Sequence, residues 1–322
     1  MLESERYSMQ RRQFLAGAAS AAVIGTLSRA GAQDSQPSQH SSPMAVGLII
    51  QPANGAEAAI ARVHDLGMSN CFLSLDGYLG KFSKPLAQEL SGLLEKYNIV
   101  PTAAEVVRPD PLIWNFLRGP STIGLVPRAT RAARMDALKQ TSDFAALLNI
   151  PCVQTHCGFI PEDPANPLYD ETVQAVREVA QHCATNHQLF LMETGQETPT
   201  TMARALKDVD QPNLAVGLDT ANLILYGKAN PVDAVDIIGP NVRSIHAKDG
   251  RWPTDPMQLG EEVLIGTGIV DFEKVFTKLH HLGYTGAVTI ERETSGPQQL
   301  ADVRAEKVYL EKILAKVLAQ QA

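Results

Sequence analysis

LFLMETGQE (residues 189–197), VGLDTANL (216–223), RSIHAKDG (243–250) and VTIERE (288–293) are four apolar runs, each closing on a hard metal ligand. The ligands are Glu193, Asp219, His246 and Glu291, separated by 26, 27 and 45 residues. A strand, a helix and their loops take roughly 30 residues. Each ligand therefore falls at the end of its own strand in successive β-then-α units, with one long loop in the last interval. In a closed (β/α)8 barrel such strand ends converge on the face where loops build sites. Three carboxylates and one imidazole suit one divalent ion, Mn²⁺ first, with Mg²⁺, Co²⁺ or Zn²⁺ as alternatives; a structural zinc would favour thiolates. Four unrelated acids and bases at strand ends is the bland alternative, and four in consecutive units argue against it.

Working outward, the chain reads as eight such units. The first strand is Val46–Ile50, followed by a helix that stops at Gly67; the second is Cys71–Leu75, then helix Lys84–Tyr97. The third strand, Ile99–Val107, leads into a long loop, Arg108–Pro127, and helix Arg128–Leu148. Strands Cys152–Thr155, Leu189–Met192, Leu214–Leu218, Val242–Ile245 and Ala287–Ile290 alternate with helices Asp170–His187, Thr200–Val209, Pro231–Ile238, Asp271–Leu282 and Gln298–Leu318. Strict alternation of apolar strands with helices means a parallel sheet covered on its faces. Eight units favour a single closed (β/α)8 TIM barrel over an open doubly wound sheet. No Gly-rich fingerprint follows the first strand, and Gly266-x-Gly268 reads as a turn.

Residues 44–322 are the barrel domain. Residues 1–32 read as a cleavable export signal: Arg11-Arg12 before an Ala-rich apolar run, then Ala30-Gly31-Ala32 as a cleavage site. That run is too short for the ~20 apolar residues of a membrane span. The twin-arginine pattern places the mature protein in the periplasm, with no membrane attachment after cleavage, and residues 33–43 read as a disordered tether. The formal charge is −7, and more negative once the basic signal is gone. Such a balance, with no basic run, speaks against nucleic acid and anionic lipid as partners. Cys71, Cys152, Cys157 and Cys183 contain no CxxC pair and read as buried free thiols.

An ion held by the four ligands leaves two octahedral positions for a vicinal hydroxyl and carbonyl of a sugar. It would act as a Lewis acid for the enediolate left when a carbon-bound proton departs. Glu193 and Glu291, on strands five and eight, form a pair that can invert one carbon or move a proton between neighbours.

The segments GLDTANLILYGKANP (217–231), IHAKDGRWP (245–253), TIERE (289–293) and PSTIGLVPR (120–128) resemble the xylose isomerase-like (β/α)8 superfamily. It includes sugar and sugar-phosphate isomerases and epimerases, tagatose/psicose 3-epimerases, hydroxypyruvate isomerases and endonuclease-IV-type nucleases. The resemblance runs from about Val46 to Leu318. It implies a metal at Glu193, Asp219, His246 and Glu291, with the two glutamates as the acid/base pair. In the 3-epimerases a histidine lies three residues after the metal Asp and contacts substrate; Asn222 stands there in this chain, a departure. Arg251 is the nearest match to an arginine that follows the metal histidine, and Lys248 resembles a strand-seven residue that points at substrate in several relatives. The nuclease branch needs more histidines at strand ends than His156 and His246.

His156 ends strand four and is either a core histidine or a substrate contact. Glu197 either bonds a substrate hydroxyl or caps the next helix. Glu105 could face the barrel mouth or pair with Arg108, and the ion pair is the expectation. Trp114 and Phe116 could wall a sugar or face a second subunit of a homo-oligomer. Arg251-Trp252-Pro253 could form a lid, and Glu293 is expected to lie in a loop away from the metal. The leading reading is a metal-dependent sugar isomerase or epimerase acting on an unphosphorylated sugar. A lyase acting on 3-keto-glycosides by β-elimination, through the same base and metal, is the alternative. A non-catalytic sugar-binding barrel is the third.

Overall fold

The computed structural model of this chain describes residues 43–320; the expected export signal (1–32) and all of the expected tether but Pro43 lie outside the described residues. The barrel is built from β1 (Val46–Ile50), α1 (Ala56–Asp65), β2 (Asn70–Ser74), α2 (Lys84–Lys96), β3 (Val100–Glu105), α3 (Gly119–Thr122) and α4 (Arg128–Leu147). Next come β4 (Cys152–His156), α5 (Pro167–Thr185), β5 (Leu189–Glu193), α6 (Pro199–Val209), β6 (Leu214–Asp219), α7 (Asn222–Leu225), α8 (Pro231–Ile238) and β7 (Val242–Ala247). The chain closes with a hairpin, β8 (Asp249–Arg251) and β9 (Glu261–Val263), then α9 (Phe272–His281), β10 (Val288–Ile290) and α10 (Gly296–Ala319).

Eight strands pair in parallel around a closed ring, in the order β1-β10-β7-β6-β5-β4-β3-β2. The expected (β/α)8 barrel is therefore what forms. Helix entry is set by side chains that accept orphan amides: Asn166 from Leu168, Asn230 from Val232, and Asp271 from Lys274. Helix exit uses left-handed residues, among them Gly67 (φ 68°) and Gly283 (φ 83°), the two stops expected from the sequence.

Two apolar shells follow from strand alternation. The larger lies between strands and helices; the smaller, Phe72, Ala103, Cys152, Leu191 and Ala215, fills the barrel interior. All four cysteines are buried and free, as expected. Above the interior floor the inward side chains turn polar. Gly217 makes this possible on β6, because a Cβ there would sit 2.1 Å from the amide oxygen of Gln154 on β4.

The structure adds elements that strand-and-helix patterning did not give. The expected coil after β3 contains α3, and α7 follows β6 directly. The long loop after β7 is a hairpin organised by Asp249. This buried carboxylate accepts the amides of Gly266 and Gly268 at 2.9 Å each and of Val270 at 3.1 Å. Gly266-x-Gly268 is thus a turn, as read, but one closed around a carboxylate. No helix among the described residues is long and apolar enough to cross a membrane.

Candidate metal centre

Strand register brings the ligands to one level. His156 pairs with Glu193, Asp219 with His246, and His246 with Thr289, two residues before Glu291. One ligand atom from each of Glu193, Asp219, His246 and Glu291 lies within 4.8 Å of the others. The first three are buried and Glu291 is 16% exposed.

The donor atoms are left open for an ion. Asp219 Oδ1 accepts the amides of Ala221 (2.8 Å) and Asn222 (2.7 Å) at the start of α7, which leaves Oδ2 facing the cluster. Thr194 Oγ1 accepts the amide of Asp219 and fixes that residue's backbone. Asp219 Oδ2, Glu193 Oε2, Glu291 Oε2 and His246 Nδ1 are buried without a hydrogen-bond partner among the described residues. Lys248 and the histidines offset part of their charge, but four donors gathered at one point without a hydrogen bond keep coordination positions open, so the residues present fit a divalent ion.

The charges balance one another in part. His246 Nδ1 lies 3.3 Å from Glu193 Oε1 and 3.2 Å from Glu291 Oε2. Burial opposes the imidazolium, but these two carboxylates outweigh it and hold the histidine well above its ordinary pKa. Burial likewise opposes ionisation of Glu291, yet the cations of Lys248 and His246 keep it well below the usual carboxylate range. Glu193 is held down against its burial by His156 and His246.

Lys248 is part of this centre. Its buried ammonium reaches Asp219 Oδ2 (3.2 Å), Glu291 Oε2 (3.2 Å) and Glu293 Oε1 (2.9 Å). Glu293, expected in the loop outside the metal ligands, lies there and borders the cluster through Lys248. His156 Nε2 stands 3.4 Å from Glu193 Oε2, with its ring in a T-shaped contact with Trp114 at 5.1 Å between centroids and Gln196 bonded to Nδ1 at 3.2 Å. Trp114 therefore stands beside His156; Phe116 is half-buried. Asn222 Nδ2 is 3.5 Å from Glu193 Oε1.

Other expectations change. Glu105 makes no ion pair among the described residues; Arg108 pairs instead with Asp110, two residues along the same loop. Burial, followed by the charge of Glu193, pushes the Glu105 carboxyl well above its ordinary range, so it belongs to the polar layer of the barrel. Glu197 does not cap α6, because Thr198 does, accepting the amide of Thr201. Glu197 is buried, with neither carboxylate oxygen hydrogen-bonded among the described residues. Arg251 is turned to Glu261 across the hairpin at 3.4 Å, both side chains more than half exposed, and is not gathered with the cluster. Gln154, Thr194 and Asp249 were not singled out from sequence. Gln154 had a signal: a polar residue two before His156, in the inward phase of an apolar strand.

The sequence model of the xylose isomerase-like TIM barrel family matches residues 60–313. A crystal structure of a xylose isomerase domain protein from Planctomyces limnophilus superposes with a TM-score of 0.79 at 29% identity, covering 87% of this chain and 100% of that one. A D-tagatose 3-epimerase-like protein superposes at 0.68 with 19% identity, covering 86% and 100%. By sequence, inosose dehydratase of Geobacillus kaustophilus is 24% identical over 151 residues, 42% of this chain and 47% of that protein.

Proposed function

Because the chain belongs to the xylose isomerase-like TIM barrel family, we propose that it is a metal-dependent sugar isomerase or epimerase in which Glu193 and Glu291 move the proton. The observation that carries this reading is the meeting of four metal-ligating side chains within 4.8 Å, two of them glutamates from strands three places apart in the ring. The likeness to a D-tagatose 3-epimerase-like protein supports the reaction class.

A divalent ion bound there, Mn²⁺ by preference, supplies Lewis acidity toward vicinal carbonyl and hydroxyl oxygens and lowers the cost of the enediolate. The protein supplies the rest. Glu193 and Glu291 rest ionised, held so by the cations beside them, and so are competent as bases. One ionised glutamate suffices to carry a proton between neighbouring carbons. Inversion at a single carbon further requires its partner to arrive protonated. His156 and Asn222 fix the Glu193 carboxylate from two sides, at 3.4 and 3.5 Å. Lys248 is the buried donor available to a substrate oxyanion, and Trp114 offers an apolar ring face of the kind on which sugars stack.

The likeness to an inosose dehydratase favours a second reading, in which the same deprotonation in a 3-keto-glycoside expels the aglycone by β-elimination. Purified protein with Mn²⁺ is incubated with free ketoses and with 3-keto-glycosides. Isomeric sugars identify the first reading, and an unsaturated ketone with free aglycone the second. Glu193→Gln and Glu291→Gln should each lower turnover by about 10²-fold or more with the fold intact; full activity in either overturns the acid/base assignment. The export signal supports action in the periplasm on unphosphorylated sugars, which fractionation of cells expressing the full chain tests.

A further inference from the structure

Gln154 lies inside the barrel, two residues below His156 on β4, completely buried. Its Nε2 is placed 3.4 Å from Nε2 of His246, and its Oε1 has no hydrogen-bond partner among the described residues. Two nitrogens facing each other can bond only if the imidazole Nε2 is bare. The ring proton would then sit on Nδ1, the atom that faces Glu193 and Glu291 and is needed for the ion.

Turning the amide about its terminal bond exchanges oxygen and nitrogen with no other movement. It gives Oε1 a partner, places the ring proton on Nε2 and frees the Nδ1 lone pair. The surroundings hold the pair in place: Phe72 meets the imidazole edge-on at 4.5 Å, and Gly217 leaves the space that the amide occupies.

We propose that Gln154 is a positioning residue that presents its amide oxygen to Nε2–H of His246 and thereby selects the tautomer able to bind the ion. This rests on the metal reading of the site, and the tests separate the two. Outer partners of a ligating histidine typically change metal affinity by about 10–100-fold.

Calorimetric titration with Mn²⁺ is compared for the wild type, Gln154→Leu and Gln154→Glu, alongside thermal unfolding of each metal-free protein. Gln154→Leu should lose about 10–100-fold in affinity. Gln154→Glu, whose carboxylate can only accept, should stay within a few-fold of wild type. Equal losses in both variants with normal unfolding would refute the acceptor role. In wild-type protein labelled with ¹⁵N-histidine and loaded with diamagnetic Zn²⁺, His246 should show a proton on Nε2 and none on Nδ1. This measurement stands even if a variant fails to fold, and a proton on Nδ1 overturns the proposal. A wild type that binds neither ion overturns the metal reading itself, and this proposal with it.

Discussion

Replacing Lys248 by Met removes the cation at the centre of the cluster while keeping much of the side-chain volume. The ammonium is 1% exposed and contacts Asp219 (0% exposed) and Glu291 (16%) at 3.2 Å. Its third contact, Glu293, is 58% exposed and contributes little. Removing one partner of a buried ion pair costs about 3–5 kcal/mol, because the remaining charge stays desolvated. Metal-free Lys248→Met should therefore unfold at lower urea, with a deficit of that size near neutral pH. The deficit should shrink on acidification. Burial, though opposed by Lys248, holds the Asp219 carboxyl well above its ordinary value, and proton uptake there offsets the missing cation. Divalent metal should act in the same direction. Lys248 and the ion compete for Asp219 and Glu291, so the variant should bind Mn²⁺ more tightly, by tenfold or about 1.4 kcal/mol, and metal should recover part of the lost stability. Urea unfolding with chelator and with Mn²⁺, at two pH values, reads all three effects. A deficit that is the same with and without metal would refute the view that lysine and ion share one negative site.

Glu197 offers a pH test. Burial pushes its carboxyl up to about 8 from an ordinary 4.5. The folded state thus favours the neutral acid, and this stability is full below about pH 4.5 and lost as pH rises through 8. Glu197→Gln mimics the neutral form; it should match wild type near pH 4.5 and exceed it at pH 8 by at most about 5 kcal/mol, measured by urea unfolding. Asp249→Ala deprives the amides of Gly266, Gly268 and Val270 of their acceptor, at about 2–4 kcal/mol in total, and limited proteolysis should then cut within residues 250–270. Gly217→Ala drives a methyl into the Gln154 amide; a loss of about 1–3 kcal/mol together with weaker Mn²⁺ binding is expected, by unfolding and calorimetry.

The barrel was legible because its strands are buried on both faces and read as continuous apolar runs. The four ligands were legible because a charged residue closing such a run has few places to go except the face where strands end. Gln154 was harder. The amide in CVQTH shares the inward phase of His156, but a strand pattern names no partner, and only the register across β5 and β6 to β7 shows it beneath His246. Glu105 was assigned to Arg108 by proximity in sequence, whereas the arginine found Asp110 within its own turn. Asp249 collects amides 17 to 21 residues away, a distance over which no local spacing rule applies.

The carboxylate of Asp249 fastens the far leg of the hairpin loop to the barrel rim. Residues 252–260 project from it, with Trp252 and Met257 exposed. This tip is anchored at its base, and its Gly260 amide bonds the carbonyl of Leu225 on α7, the helix whose first amides hold Asp219. A change in the length of residues 252–260 would therefore be felt through α7 at Asp219, so this loop ties the outer surface of the barrel to its buried carboxylates.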